Sequence, residues 1–172
     1  SMDPDHMDPL ARGARTIYLN RCGFNGLWRV NLSGRFNVPW GKYRAPLAPV
    51  PALVEQAHRA LQGAVVKVQD VALSLEKAQA GDLVYLDPPY HQTFAGYAAG
   101  GFGERDQQRL AQAARAAADR GVLVMASNSA TPLIRQLYAG WRQVRVKAPR
   151  SISCKGSTRT QEAPELLLLS WR

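Results

Sequence analysis

The 172-residue sequence predicts an α/β fold, half of a doubly wound parallel sheet. Three observations predict it. Leu83-Val84-Tyr85-Leu86 is a short apolar run led in by Gly81-Asp82, and Val122–Met125 is a second such run. Both have the length and composition of strands buried in a parallel sheet. Between them Leu110, Ala113, Ala114 and Ala117 recur at helical spacing until Gly121 ends the pattern. A chain of this length makes one domain.

Ser1–Met7 reads as a cloning remnant, and residues 1–8 are set aside. Thr16–Asn31 is dense in Asn, Gly, Arg and aromatics, too irregular for an amphipathic helix. Asn31-Leu32-Ser33-Gly34-Arg35 has turn chemistry between Leu27–Val30 and Phe36–Val38, which predicts a β-hairpin. Its tip and flanks carry Arg29, Arg35, Pro39 and Trp40 outward. Pro46, Pro49 and Pro51 mark a linker into a helix over Ala52–Gln62. Ala64–Val68 reads as a strand and Val71–Gln79 as a short helix leading to the central strand.

That strand ends in Asp87-Pro88-Pro89-Tyr90. Two prolines fix φ and cannot continue a ladder, so the chain leaves the sheet rigidly here. The place just past the carboxyl end of a strand is where open α/β sheets bind ligands. Gly96–Gly103, with Phe94, Tyr97 and Phe102, reads as a mobile loop over that cleft. Glu104–Arg120 follows as a helix, and Val122–Met125 runs into Ser127-Asn128-Ser129. Thr131 is an N-cap with Pro132 at the first helical position, which predicts a helix over Pro132–Ala139. Trp141–Lys147 and Glu165–Trp171 form a final hairpin around the basic loop Ser151–Thr160.

A net charge of +9 points to a polyanionic partner. Pro9–Ala45 holds Arg12, Arg15, Arg21, Arg29, Arg35, Lys42 and Arg44 with no acidic residue, interleaved with Phe24, Trp28, Phe36, Trp40 and Tyr43. Such a stretch suits bases and phosphates together. Trp141–Gln161 is a second acid-free basic stretch. Cys22 and Cys154 are far apart without paired spacing, so reduced thiols in a cytoplasmic protein and no metal site are expected. No apolar run is long enough to span a membrane, and no signal peptide is recognisable. His58 and His91 are expected at the surface, with a place lining the cleft as the alternative for His91, which follows the Asp-Pro-Pro-Tyr motif.

Asn20-Arg21-Cys22-Gly23-Phe24-Asn25-Gly26-Leu27-Trp28-Arg29 followed by Phe36-Asn37-Val38-Pro39-Trp40-Gly41-Lys42-Tyr43 resembles the target-recognition hairpin of Dam-type (D12 class, alpha group) DNA adenine-N6 methyltransferases. Asp87–Tyr90 resembles their catalytic tetrapeptide. Arg150-Ser151-Ile152-Ser153 with Glu165-Leu166-Leu167 resembles their C-terminal segment. The resemblance runs from about Ala14 to Arg172 in family order. It implies a partial Rossmann-like methyltransferase sheet (residues 64–172) with a hairpin and helical target-recognition region (residues 9–63). The implied activity is methyl transfer from S-adenosylmethionine to the exocyclic amine of adenine in double-stranded DNA, in a cytoplasmic, nucleoid-associated protein of bacterial or phage origin.

The amine is a poor nucleophile because its lone pair is delocalised into the ring. Acceptors at Asp87 and Pro88 would favour a pyramidal nitrogen and stabilise the developing charge. Pro89 stiffens the turn, and Tyr90 would stack on a base flipped out of the duplex. The family positions that read sequence fall on Leu27, Arg29 and Pro39, a set that looks like a reader for GATC. Phe24 stands where the family uses an aromatic wedge, and Asn25 lies beside it. Arg35, Lys42, Tyr43, Arg150 and Ser151 complete the expected DNA contacts. Hairpin packing for Leu27 and Pro39, and a phosphate contact for Arg29, are the plainer readings. On the donor side, Asp87 borders the methyl group. Asp70 occupies a family position that contacts adenosine, although Val71 replaces the usual aromatic after it.

The sequence departs from the family pattern in one respect. Family members carry a Gly-rich cofactor loop and an acidic residue ahead of the hairpin, where this sequence has Ser1–Gly13. No Phe-x-Gly-x-Gly turn follows downstream. The expectation is therefore a second polypeptide carrying that loop, with this chain as one half of a split enzyme. A C-terminal fragment, and a catalytically inactive sequence-specific DNA-binding module, are the alternatives. The intact tetrapeptide and hairpin favour the split enzyme.

Overall fold

The computed structural model describes residues 4–44, 51–92, 101–148 and 163–171. It divides into two compact units, Ser1–Val66 with Gly96–Ala99, and Lys67–Ala95 with Gly100–Arg172.

In the first unit, helix α1 spans Pro9–Cys22. This overturns the expectation of irregular chain from Thr16. The Asp8 carboxylate accepts from the N–H groups of Leu10 and Ala11, each at 3.0 Å, and Pro9 occupies the first turn where no N–H is required. Only Cys22 of this helix is buried, a free thiol. A helix without a core-facing stripe has no apolar periodicity to read, so its cap was the legible signal. The expected hairpin is reduced to two isolated antiparallel bridges, Val30 with Phe36 and Gly23 with Trp40. Its turn is as expected: Asn31 Oδ1 accepts from Ser33 N at 3.0 Å and Arg35 N at 2.9 Å. Trp28 packs on Phe36, ring centroids 5.0 Å apart. Helix α2 covers Pro51–Ala60 and buries none of its residues. Of the proline linker, residues 45–50 lie outside the described residues.

Ala64–Val68 is not a strand. Val65 and Val66 are largely exposed, and no strand among the described residues lies beside them. An unpaired strand would leave its N–H and C=O groups to water with no packing gain, so β propensity alone does not hold one.

The second unit is a four-stranded mixed sheet with helices. Helix α3 is Val71–Lys77, strand β1 Leu83–Leu86, helix α4 Glu104–Asp119, strand β2 Leu123–Ser129, helix α5 Pro132–Leu137, strand β3 Arg142–Ala148 and strand β4 Ala163–Leu169. The order across the sheet is β1-β2-β4-β3, with β1 and β2 parallel and the other two pairs antiparallel. This is the expected α/β class, and β4 inserts between β2 and β3. Pairing with β4 carries β2 as far as Ser129, past the expected end at Met125.

Leu110, Ala111, Ala114 and Ala117 of α4 are buried with Val122, Val124, Ala126, Leu166 and Leu168 in the core. Alanines at that spacing let the helix lie close over the sheet. Gly121, at φ +90°, turns the chain out of α4, and a Cβ there would meet Ala80 Cβ at 3.1 Å. The opposite face is less complete. Leu83, Tyr85 and Leu123 lie on one side of the β1–β2 pair, and all three are exposed. Among the described residues no helix is long and apolar enough to cross a membrane.

Candidate functional site

Strands β1 and β2 run parallel, so their carboxyl ends lie side by side. From β1 the chain passes into Asp87-Pro88-Pro89-Tyr90, and β2 closes with Ser127-Asn128-Ser129. Asp87 is exposed, while Pro88, Pro89 and Tyr90 are half-buried. Ser127 Oγ donates to Asp87 Oδ1 at 2.8 Å and accepts from the Tyr85 hydroxyl at 3.0 Å. Partial burial holds the Tyr90 phenol above its ordinary value, opposed by a hydrogen bond to Ser127 and reinforced by the Glu165 and Asp87 charges. Tyr90 therefore remains a neutral ring with its hydroxyl proton at neutral pH.

Behind the turn lies a buried amide chain. Asn128 Oδ1 accepts from the N–H groups of His91 and Ser129, each at 2.9 Å. Asn128 Nδ2 donates to Gln107 Oε1 at 3.0 Å, and Gln107 Nε2 donates to the Pro89 carbonyl at 2.8 Å. Gln107 and Asn128 are each 1% exposed. Buried amides persist only when their hydrogen-bonding capacity is met, and here it is met by the backbone on either side of Tyr90. His91 is buried rather than at the surface. Its Nδ1 lies 2.8 Å from Thr131 Oγ1, and its Nε2 lies 3.4 Å from Glu104 Oε1.

Sequence reading missed Ser127, Asn128 and Gln107 as supports of the turn. Two signals carried them. A polar triplet ends the strand parallel to β1, and Gln107 occupies the apolar face of α4 three residues ahead of Leu110.

A cavity of about 300 Å³ adjoins the turn, lined by Val71, Tyr85, Leu86, Asp87, Pro88, Pro89, Phe102 and Leu110. An apolar recess with one carboxylate at its rim fits a small cationic ligand with an apolar body. Asp70 is exposed and hydrogen-bonded within the chain. Its carboxylate caps α3 through Ala72 N at 2.9 Å and takes two bonds from Arg109, at 3.0 and 2.9 Å. The Arg109 guanidinium, with the Ala72 N–H, holds the Asp70 carboxyl below the usual range. The expected loop over the cleft, residues 96–103, is described only from residue 101 onward.

The expected DNA-contacting residues of the first unit lie in segments joined by the backbone bridges of Gly23 to Trp40 and Val30 to Phe36. Phe24, Asn25, Arg29, Arg35, Pro39 and Lys42 are exposed, and Leu27 and Tyr43 half-buried. Phe24 N donates to the Pro39 carbonyl at 2.9 Å, joining the two segments. Arg29 Nε donates to Asn37 Oδ1 at 2.8 Å and its Nη2 to the Asn37 carbonyl at 2.9 Å. A guanidinium has five N–H donors, so three remain for an outside acceptor. Asn25 and Lys42 hold φ values of +54° and +57°, the left-handed region that residues with side chains adopt sparingly. Arg150 and Ser151 lie outside the described residues.

Comparison with known proteins bears on these two surfaces. The family model for D12 class N6 adenine-specific DNA methyltransferases matches residues 3–152. A type II methyltransferase of Lactococcus lactis subsp. cremoris, M1.LlaDCHI, is 37% identical over 90% of this chain and 57% of its own length. A DNA adenine methylase of Escherichia coli is 39% identical over 94% of this chain and 59% of its own. One of Vibrio cholerae is 39% identical over 94% and 60%. The chain thus spans little more than half the length of the relatives it matches.

Proposed function

Because the chain belongs to the D12 class of N6 adenine-specific DNA methyltransferases, we propose that it carries the catalytic and target-reading parts of an enzyme that methylates N6 of adenine in duplex DNA, at GATC. The observation that carries this reading is Asp87, exposed on a proline-stiffened turn at the carboxyl end of β1 and bonded to Ser127. An extruded adenine presents two amine N–H groups. Asp87 and the Pro88 carbonyl accept them, which favours a pyramidal nitrogen and stabilises the positive charge it gains on attack. Tyr90 stacks on the extruded ring. As the N–C bond forms, the sulfur–methyl bond of the donor would break to leave a neutral thioether, and the methylated nitrogen gives one proton to solvent to become a neutral N6-methylamino group.

S-adenosylmethionine supplies the methyl group as a sulfonium. The recess beside Asp87–Pro89 fits one wall of its site, through Val71, Phe102 and Leu110. Further polypeptide bearing the Gly-rich loop, continuous with this chain or separate from it, supplies the remainder. The exposed Leu83 and Tyr85 on β1 favour such a neighbour.

Phe24, Asn25, Leu27, Arg29, Arg35, Pro39, Lys42 and Tyr43 form the DNA-reading surface in this proposal. With Asn37 fixing one edge of its guanidinium, Arg29 offers the other to a guanine in the major groove. Arg29→Ala is expected to reduce discrimination at one base pair of the site by about 1–3 kcal/mol, measured as the ratio of affinities for cognate and single-substituted duplexes. Equal losses on cognate and scrambled duplexes would make Arg29 a phosphate contact.

The activity itself is tested by incubating a GATC duplex and labelled donor with this chain, alone and with a polypeptide carrying the Gly-rich loop. Label on adenine N6 is expected. Salt-sensitive duplex binding without transfer under either condition would leave a sequence-specific DNA-binding module instead.

A further inference from the structure

One hydroxyl connects three parts of the candidate site. Ser127 Oγ is within hydrogen-bonding distance of Asp87 and Tyr85, and it is also bonded to Tyr90. A serine hydroxyl has one hydrogen to give and two lone pairs to fill. A carboxylate only accepts, so the single hydrogen goes to Asp87 Oδ1. The Tyr85 hydroxyl donates into one lone pair of the serine oxygen. The serine hydrogen and one lone pair are thus each committed in a single direction.

From this geometry we infer that Ser127 is the positioning residue of the reaction: its hydroxyl holds the carboxylate that receives the amine in one fixed orientation. The inference rests on the methyltransferase reading above and deepens it. With Oδ1 of Asp87 held by Ser127, Oδ2 is left to the adenine amine. The anchor is rigid. Ser127 is 7% exposed and lies on β2, which is paired with β1 on one side and β4 on the other. Tyr85 takes no direct part with the base. By donating into Ser127 it directs the serine hydrogen toward Asp87.

The test compares steady-state methylation by Ser127→Ala, Ser127→Thr and Tyr85→Phe chains under the conditions in which the parent is active. Ser127→Ala is expected to lower kcat by about 10- to 100-fold, the worth of a hydrogen bond to a charged group, with KM for DNA changed less than about two-fold. Ser127→Thr, which keeps the hydroxyl, is expected to recover kcat to within about three-fold of the parent. Tyr85→Phe, at an exposed position where folding is not at risk, is expected to lower kcat by about three-fold, in line with the loss of one neutral hydrogen bond. An alanine variant with kcat within two-fold of the parent would overturn the inference, as would a threonine variant no better than alanine. No transfer by the parent under any condition would instead overturn the methyltransferase reading, and this inference with it.

Discussion

Asp87→Ala is expected to lower kcat for methyl transfer to a GATC duplex by about a thousand-fold, while duplex affinity stays within about two-fold of the parent. The magnitude follows from removing an acceptor whose bond to the amine strengthens as positive charge develops on attack, beyond its worth in the ground-state complex. Asp87 is exposed at the carboxyl end of β1 and its carboxylate takes a bond from Ser127, so truncation disturbs little packing. Asp87→Asn sharpens the comparison. It keeps the shape but replaces an oxygen with an N–H donor, which faces either the serine hydroxyl or the adenine amine with the wrong polarity. A loss near that of alanine is expected. Single-turnover transfer of labelled methyl, with fluorescence anisotropy for binding, measures both quantities. Parallel loss of affinity would assign Asp87 to DNA binding rather than to the reaction.

Asn128→Ala is expected to destabilise the second unit by about 3 kcal/mol or more, because it strands several buried polar groups at about 1–3 kcal/mol each. The N–H groups of His91 and Ser129 lose their acceptor, and Gln107 Oε1 loses its donor. Water admitted to the vacated space offsets part of that cost. Gln107→Ala is expected to cost less, about 2 kcal/mol, since it strands only Asn128 Nδ2 and the Pro89 carbonyl. The double variant should cost less than the sum of the two, because the bond they share is lost only once. Urea unfolding midpoints at unchanged m-value test this. Additive losses would mean that the two amides act independently of each other.

The turn at Asp87–Tyr90 was legible because proline chemistry and an apolar strand coincide at Leu83–Tyr90. Helices α3, α4 and α5 were legible for similar local reasons: Asp70 and Thr131 cap two of them, and Gly121 follows the third. Helix α1 was missed because it has a cap but no buried stripe. The strand over Ala64–Val68 was predicted from β-branched residues alone, and pairing, which is not a local property, decides whether such a run becomes a strand. His91 was misplaced because burial of a single imidazole depends on Thr131 and Glu104, which are distant in sequence. The amide chain behind Pro89 and His91 joins α4, β2 and the turn. No single window of the sequence contains it.

The central claim is that an extruded base reaches the turn formed by Asp87–Tyr90. It is tested most directly by photocrosslinking a GATC duplex with 5-iodouracil in place of the target adenine, then sequencing the modified peptide. Stacking on the phenol predicts that the crosslink falls on Tyr90 and disappears in a Tyr90→Ala chain that still binds the duplex. A crosslink confined to residues 24–43, with none on the turn, would contradict the account.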